Sequence, residues 1–238
     1  MKDYKVDILA FSAHPDDVEC AIGGTILSQI QKGNKVAIVD LTRGELGSSG
    51  TVDVRNSETI EASKILGIHF RENIEMEDGF ISNDKISKLA IIKTIRKYQP
   101  KIILATALND RHPDHGNAAK LIAEASFLSG LVKIKTEIDN NKQLPHRPIA
   151  VYHYIQDLFI KPDFVIDISH TFDDKMKAIK AYKSQFLQAN NAEPNGANAL
   201  LKQIESTNSI LGRAINVKFA EGFNSNRYIG TNDIMNLF

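Results

Sequence analysis

The sequence predicts an α/β protein built on a doubly wound, mainly parallel sheet with helices on both faces. Residues 6–13, 35–41 and 101–107 are near-continuous apolar runs, the pattern of strands buried on both faces. The segments between them carry apolar residues at helical spacing and end on stop signals. Strands separated by helices wind into a right-handed parallel sheet. At 238 residues the chain is long enough for a large core, and one domain spanning 1–238 is expected.

Taken in order, residues 6–13 form the first strand. Ala21, Ile22, Ile26, Leu27 and Ile30 then recur at helical spacing within 19–32, and Lys32-Gly33-Asn34 ends that helix. Residues 35–41 are the second strand, followed by a Gly/Ser-rich loop over 42–51. A helix over 54–66 is closed by Gly67, with a short strand near 68–74. Ser82 or Asn83 caps a helix running to Tyr98 and stopped by Pro100. After the strand at 101–107 comes a helix over 116–129. Beyond Lys135, residues 139–143 read as a polar loop, 150–155 and 164–168 as strands, and 172–186 as a helix. Residues 190–198 are a polar link to a final helix near 199–212. With the usual 3-2-1-4 order, the first and fourth strands are neighbours at the switch point. Ligands bind there, beyond the carboxyl ends of the strands.

Composition excludes several partners. Lys and Arg total 29 against 29 Asp and Glu, so no general pull toward nucleic acid or acidic membranes is expected. No apolar run approaches the roughly 18 residues of a membrane span. The N-terminus enters a strand pattern at once and lacks a signal-peptide apolar region. One cysteine, Cys20, cannot form an intramolecular disulfide, which fits the reducing cytosol. A cytoplasmic protein is expected.

Chemistry concentrates in two clusters. His14-Pro15-Asp16-Asp17-Val18-Glu19 follows the first strand, and Asp110-Arg111-His112-Pro113-Asp114-His115 follows the fourth. His14 and Asp17, three apart at a strand-to-helix turn, can face one cation while Asp16 is rotated aside. His115 completes a His₂-carboxylate set with an open coordination position, suited to a catalytic zinc ion. Asp16 is then free to accept a proton from water attacking a carbonyl carbon and to return it to a departing amine. His112, if protonated, can stabilise an oxyanion, with Asp114 holding its other ring nitrogen and raising its pKa.

Other features read blandly. Cys20 is expected in the core, and His69, His146, His153 and His170 in ordinary surface or hydrogen-bonding roles. Gly23-Gly24 allows close helix–sheet packing. No Gly-x-Gly-x-x-Gly follows the first strand, and two carboxylates there would repel a pyrophosphate. Two rival readings fit the same residues. One is a non-haem iron oxygenase, which uses the same ligand types but commonly on an all-β barrel. The other is a metal-stabilised sugar-binding module without turnover.

The paired motifs resemble the PIG-L/LmbE family of zinc-dependent N-deacetylases, which act on N-acetylglucosamine-containing compounds with a Rossmann-like fold. The resemblance implies one Zn²⁺ per chain, or Fe²⁺ or another divalent metal, on His14, Asp17 and His115. It implies Asp16 as base, His112 as charge stabiliser and Asp114 as the residue orienting that histidine. Val18 before Glu19, the stretch Leu41-Thr42-Arg43-Gly44-Glu45-Leu46-Gly47, Gly50-Thr51 with Arg55, Tyr182-Lys183-Ser184-Gln185-Phe186 and Ala220-Glu221-Gly222-Phe223 are similar to the bacillithiol-biosynthesis branch. That branch deacetylates N-acetylglucosaminyl-malate. Ser48-Ser49 and Asp53 depart mildly from its loop. A dianionic malate needs a placed cation on a charge-neutral chain. Arg55 is the best candidate for a bidentate contact, ahead of Arg43 and Arg111. The partner is thus a small-molecule glycoside, and since related proteins are often oligomeric, a homo-oligomer stays open.

Overall fold

The computed structural model describes residues 4–187 and 196–236. Elements alternate through the first half: β1 (Ile8–Ser12), α1 (Asp17–Gln31), β2 (Val36–Thr42), α2 (Val52–Leu66), β3 (Phe70–Met76), α3 (Lys85–Tyr98), β4 (Ile102–Ala105) and α4 (Pro113–Leu128). A two-residue pairing, β5 (Glu137–Ile138) with β6 (Asn141–Lys142), occupies part of the expected polar loop. There follow β7 (Ala150–Tyr154), β8 (Phe164–Asp167), α5 (Phe172–Lys180), α6 (Lys183–Phe186), α7 (Ala197–Ala214), β9 (Ala220–Ser225) and a 3-10 turn at Ile234–Asn236.

Seven strands make one sheet in the order β3-β2-β1-β4-β7-β9-β8. The first five of that order are parallel, and β9 runs antiparallel to both of its neighbours. Strand alternation divides the core. Leu9 and Phe11 of β1 pack with Ile91, Ile95 and Leu121 of α3 and α4 on one face. Ile8 and Ala10 pack with Ile22 and Ile26 of α1 on the other. Both faces of β1 are fully covered, which is why its sequence reads as an unbroken apolar run. Each such buried aliphatic side chain contributes about 1.5–3 kcal/mol.

Several local expectations shift. The carboxylate of Asp84, rather than Ser82 or Asn83, caps α3, accepting from the Ser87 N–H at 2.8 Å. The expected helix over 172–186 breaks at Ala181 and Tyr182, and the buried Tyr182 hydroxyl donates to Glu19 Oε1 at 3.1 Å. α4 starts earlier than expected, at Pro113. β9 is a strand with no counterpart among the expected elements. Of the expected link at 190–198, residues 190–195 lie outside the described residues. No helix among the described residues is long and apolar enough to cross a membrane.

Candidate active site

β1 and β4 are hydrogen-bonded neighbours, with Ile8 opposite Ile102 and Ala10 opposite Leu104. Both motif loops therefore leave the sheet at the same crevice. After β1 the chain turns through Asp16, held at φ 110°, a backbone region that non-glycine residues rarely adopt. That turn starts α1 at Asp17, whose Oδ2 accepts from the His14 N–H at 2.8 Å. On the second loop His112 caps α4: its Nδ1 accepts from the Asp114 N–H at 3.3 Å, with Pro113 opening the helix. The Thr106 hydroxyl, beyond β4, donates to the His115 carbonyl at 2.7 Å and fixes this helix start to the sheet.

These turns bring three donors together. His14 Nδ1 lies 3.6 Å from Asp17 Oδ2, and His115 Nε2 lies 3.2 Å from Asp17 Oδ1. Donors bound tetrahedrally at about 2.0–2.1 Å stand about 3.3 Å apart, so each of these two pairs is spaced for a shared zinc-sized ion, the pairs using different oxygens of Asp17. Among the described residues, the groups whose single donor atoms all lie within 4.8 Å of one another are His14–His112–His115 and His14–Asp78–Asp114. The other ring nitrogens are backed by carboxylates. His14 Nε2 is 3.0 Å from Asp78 Oδ1 and 3.3 Å from Asp114 Oδ2, and His115 Nδ1 is 2.5 Å from Asp110 Oδ2. Backing carboxylates of this kind fix ring orientation and strengthen the ligand. They are themselves held by backbone donors: Leu46 to Asp78, Gly79 and Ile81 to Asp114, Leu158 to Asp110. Gln156 Nε2 also donates to Asp17 Oδ1 at 3.1 Å. His112 adds a third imidazole, with a ring nitrogen of each of His14, His112 and His115 within 4.8 Å of the others.

The field of this cluster is negative. Burial disfavours a proton on His14, yet Asp114, Asp17 and Asp78 outweigh it and push the imidazole up to about 12. His115 behaves likewise: Asp17 and Asp110 overcome burial and raise it to about 9. Burial works against the Asp17 carboxylate, but His115 and His14 hold it well below its ordinary range. Asp16 is different. Burial pushes it up to about 7, with Arg55 pulling down and Asp17 pushing up. A carboxylate poised there suits proton transfer near neutral pH.

Two expectations need correction. Asp114 does not hold the ring of His112: its carboxylate is taken up by His14 and by the Gly79 and Ile81 N–H groups, and only its backbone meets His112. Nor is His112 raised. Burial first, then His14 and His115, lower its pKa, so the neutral ring is favoured. With Nδ1 accepting the cap hydrogen bond, the proton of that neutral ring sits on Nε2.

A cavity of about 390 Å³ opens over the cluster, with His14, Asp16, Asp17, Arg55, His112 and His115 on one side. α7, α6 and the segment after β7 supply the other side, including Phe186, Ile204 and Gln156. Arg55 is only 8% exposed. Its guanidinium threads between Gly44 and Gly47, and a Cβ on Gly44, which sits at φ +65°, would fall 2.0 Å from Arg55 Nη1. Arg111 also lines the cavity, but at its rim: the side chain is 75% exposed and paired with Asp157 at 2.5 Å. Arg43 is exposed in a separate cleft with Asp53 and Glu75. Cys20 borders the cavity and packs on the Phe186 cluster, with burial raising its thiol well above the ordinary range.

The family profile described as PIG-L, GlcNAc-PI de-N-acetylase, matches residues 9–126, which contain both motif loops. The solved structure of the conserved protein TT1542 from Thermus thermophilus is similar, at 32% identity and a TM-score of 0.86. The match covers 96% of this chain and 98% of that one. The diacetylchitobiose deacetylase of Thermococcus kodakarensis is 29% identical over 75% of this chain and 70% of its own length. A Bacillus cereus protein named "Probable N-acetyl-alpha-D-glucosaminyl L-malate deacetylase 2" is 28% identical over 75% of this chain and 83% of its own. A motif-bearing crevice inside the matched span, on a fold shared almost end to end, leaves one assignment: the chain belongs to the PIG-L family of de-N-acetylases.

Proposed function

We propose that the protein is a zinc-dependent N-deacetylase that hydrolyses the acetamide of N-acetylglucosaminyl-malate, releasing acetate and the free amine. The observation carrying the hydrolytic part is Asp16, a carboxylate left out of the donor set, opening on the same cavity and poised near neutral pH. His14, Asp17 and His115 would hold the divalent ion. When bound, it supplies Lewis acidity that acidifies water and polarises the acyl carbonyl.

The chain's own residues do the rest. Asp16 accepts the proton that water loses as its oxygen bonds to the acyl carbon. It passes that proton to the sugar nitrogen as the C–N bond breaks, so the amine leaves neutral. His112, with its proton on Nε2, donates toward the carbonyl oxygen as negative charge develops there. This needs no protonated imidazole, in keeping with its lowered pKa.

Relatives acting on an N-acetylglucosamine disaccharide and on a malate conjugate support the sugar end of the substrate. Mass spectrometry on a panel of N-acetylglucosamine conjugates, with and without added Zn²⁺ or Fe²⁺, tests the reading. Loss of the acetyl mass from the malate conjugate ahead of diacetylchitobiose is expected, and preference for the disaccharide would remove malate. A cytoplasmic setting matches a substrate made for intracellular thiol synthesis.

Depth divides the two cavity arginines. Arg55, buried beside Asp16, meets the sugar near the scissile amide, while exposed Arg111 is placed for the malate carboxylates in competition with Asp157. Arg55→Ala therefore lowers kcat/KM on every N-acetylglucosamine substrate, by about 10–150-fold for a lost charge-assisted contact of about 1.5–3 kcal/mol. Its cation also pulls the Asp16 pKa down, so the acidic limb of the pH–rate profile moves to higher pH in this variant. Arg111→Ala lowers kcat/KM for the malate conjugate alone. If Arg55→Ala affects only the malate conjugate, the assignments reverse and Arg55 reads the carboxylates.

A further inference from the structure

α1 is not one continuous helix. Ile22 sits at φ −135° and ψ 18°, breaking it into a first segment that carries Asp17 and a second that packs on the sheet. In an unbroken helix the N–H groups of Gly24 and Thr25 would donate to the carbonyls four residues earlier. Here both are taken by one carboxylate from the far end of the chain. Glu221 on β9 accepts from Gly24 N–H at 3.0 Å through Oε1 and from Thr25 N–H at 2.7 Å through Oε2. The freed Ala21 carbonyl instead accepts from Lys175 Nζ on α5, at 3.4 Å.

Glu221 and Lys175 also pair with each other at 2.7 Å, and neither side chain is exposed. Lys175 donates further to Asn208 Oδ1 on α7 at 2.9 Å, and Asn208 Nδ2 donates to the Ala220 carbonyl. Three elements thus close on the break. The glycines let the break pack closely: a Cβ on Gly23 would come within 3.3 Å of Lys175 Cγ on α5, and one on Gly24 would meet Ile168, just after β8, at 2.8 Å. The negative charge at the start of the second segment is also the sign that a helix N-terminus favours.

We propose that Glu221, with Lys175, is a positioning residue: an internal cap that fixes the break in α1 and so orients the Asp16–Asp17 turn for metal binding. A continuous α1 would tie the direction of its first turn to the packing of its second half on the sheet. The capped break lets the turn aim at the crevice independently. This rests on the metal site under the proposed function. It also gives a role to Ala220-Glu221-Gly222-Phe223, a stretch that the reaction itself leaves unused.

The test is metal affinity, measured on the folded protein by competition with a chromophoric chelator, together with the absorption spectrum of the Co²⁺-loaded form. Glu221→Gln keeps the shape, but its amide can accept from only one of the Gly24 and Thr25 N–H groups and faces the other with an N–H of its own. It is expected to weaken metal binding about tenfold or more and to alter the Co²⁺ bands. Removing one partner of a buried pair is strongly destabilising, so the double variant Lys175→Met/Glu221→Gln, which leaves no unpaired buried charge, is read in parallel. Ile95→Val in α3, remote from the break, controls for stability loss alone and keeps wild-type affinity. Wild-type affinity and Co²⁺ bands in a folded Glu221→Gln or double variant overturn the inference. Asp17→Ala separates the two levels: if it too keeps full affinity, the metal site itself is wrong. If Asp17→Ala loses metal and the Glu221 variants do not, only the cap role fails.

Discussion

Asp16→Asn leaves the metal bound and lowers kcat about 10²–10⁴-fold, the usual contribution of a general base. The two halves of this expectation have separate structural grounds. Retention follows because Asp17, not Asp16, stands between His14 and His115 at 3.6 and 3.2 Å. Loss of turnover follows because an amide cannot take the proton from water, whatever its position. The wild-type rate should rise with pH as the Asp16 carboxyl ionises, because only the ionised form accepts a proton; burial raises that carboxyl and a bound dication lowers it. In Asp16→Asn that acidic limb disappears from the residual rate. Metal stoichiometry and a pH–rate series on the same preparation check both halves. Near-normal turnover would remove Asp16 as base, and metal loss would make it a ligand.

The parts of the fold legible in the sequence are those whose burial leaves a mark on neighbouring residues. β1, β2 and β4 are covered on both faces, so nearly every position is apolar and the runs stand out. β9 is also internal to the sheet, between β7 and β8, yet Glu221 and Gly222 interrupt any apolar run there, and no strand is expected from its sequence. The charge there is tolerated only because Lys175 and the broken α1 meet it. The break in α1 has only a partial mark in the sequence: Gly23-Gly24 weaken the helix after Ile22, while the carboxylate that caps the break lies on β9.

The site divides in the same way. His14, Asp16 and Asp17 occupy one turn, and their relative directions follow from spacing. Asp110 lies in the second motif as well, but its pairing with His115 depends on the loop path between them. Asp78 arrives from the loop after β3 with no local signal at all. Asp114 misleads by proximity. Two residues from His112, it invites a side-chain pairing that the start of α4 precludes, since the cap hydrogen bond uses Asp114's backbone and frees its carboxylate for His14.

Asp17→Ala and His115→Ala lose bound metal, and His112→Ala retains it. The geometry makes this a discriminating set, because His14, His112 and His115 also bring ring nitrogens within 4.8 Å of one another. What favours Asp17 over His112 is the rest of each side chain's bonding. His115 and His14 turn their backed nitrogens to Asp110, Asp78 and Asp114, leaving Nε2 and Nδ1 respectively facing Asp17. His112 spends Nδ1 on the helix cap, and no carboxylate among the described residues backs its ring as Asp110 backs that of His115. A metal that binds only the folded protein also raises its stability, by about 2.7 kcal/mol at a concentration 100 times Kd. Added Zn²⁺ should therefore raise the melting temperature of the wild-type and His112→Ala proteins and leave that of Asp17→Ala nearly unchanged. Elemental analysis supplies the stoichiometry, expected at one ion per chain. Metal loss in His112→Ala with retention in Asp17→Ala would establish the three-histidine set and release Asp17 from the centre.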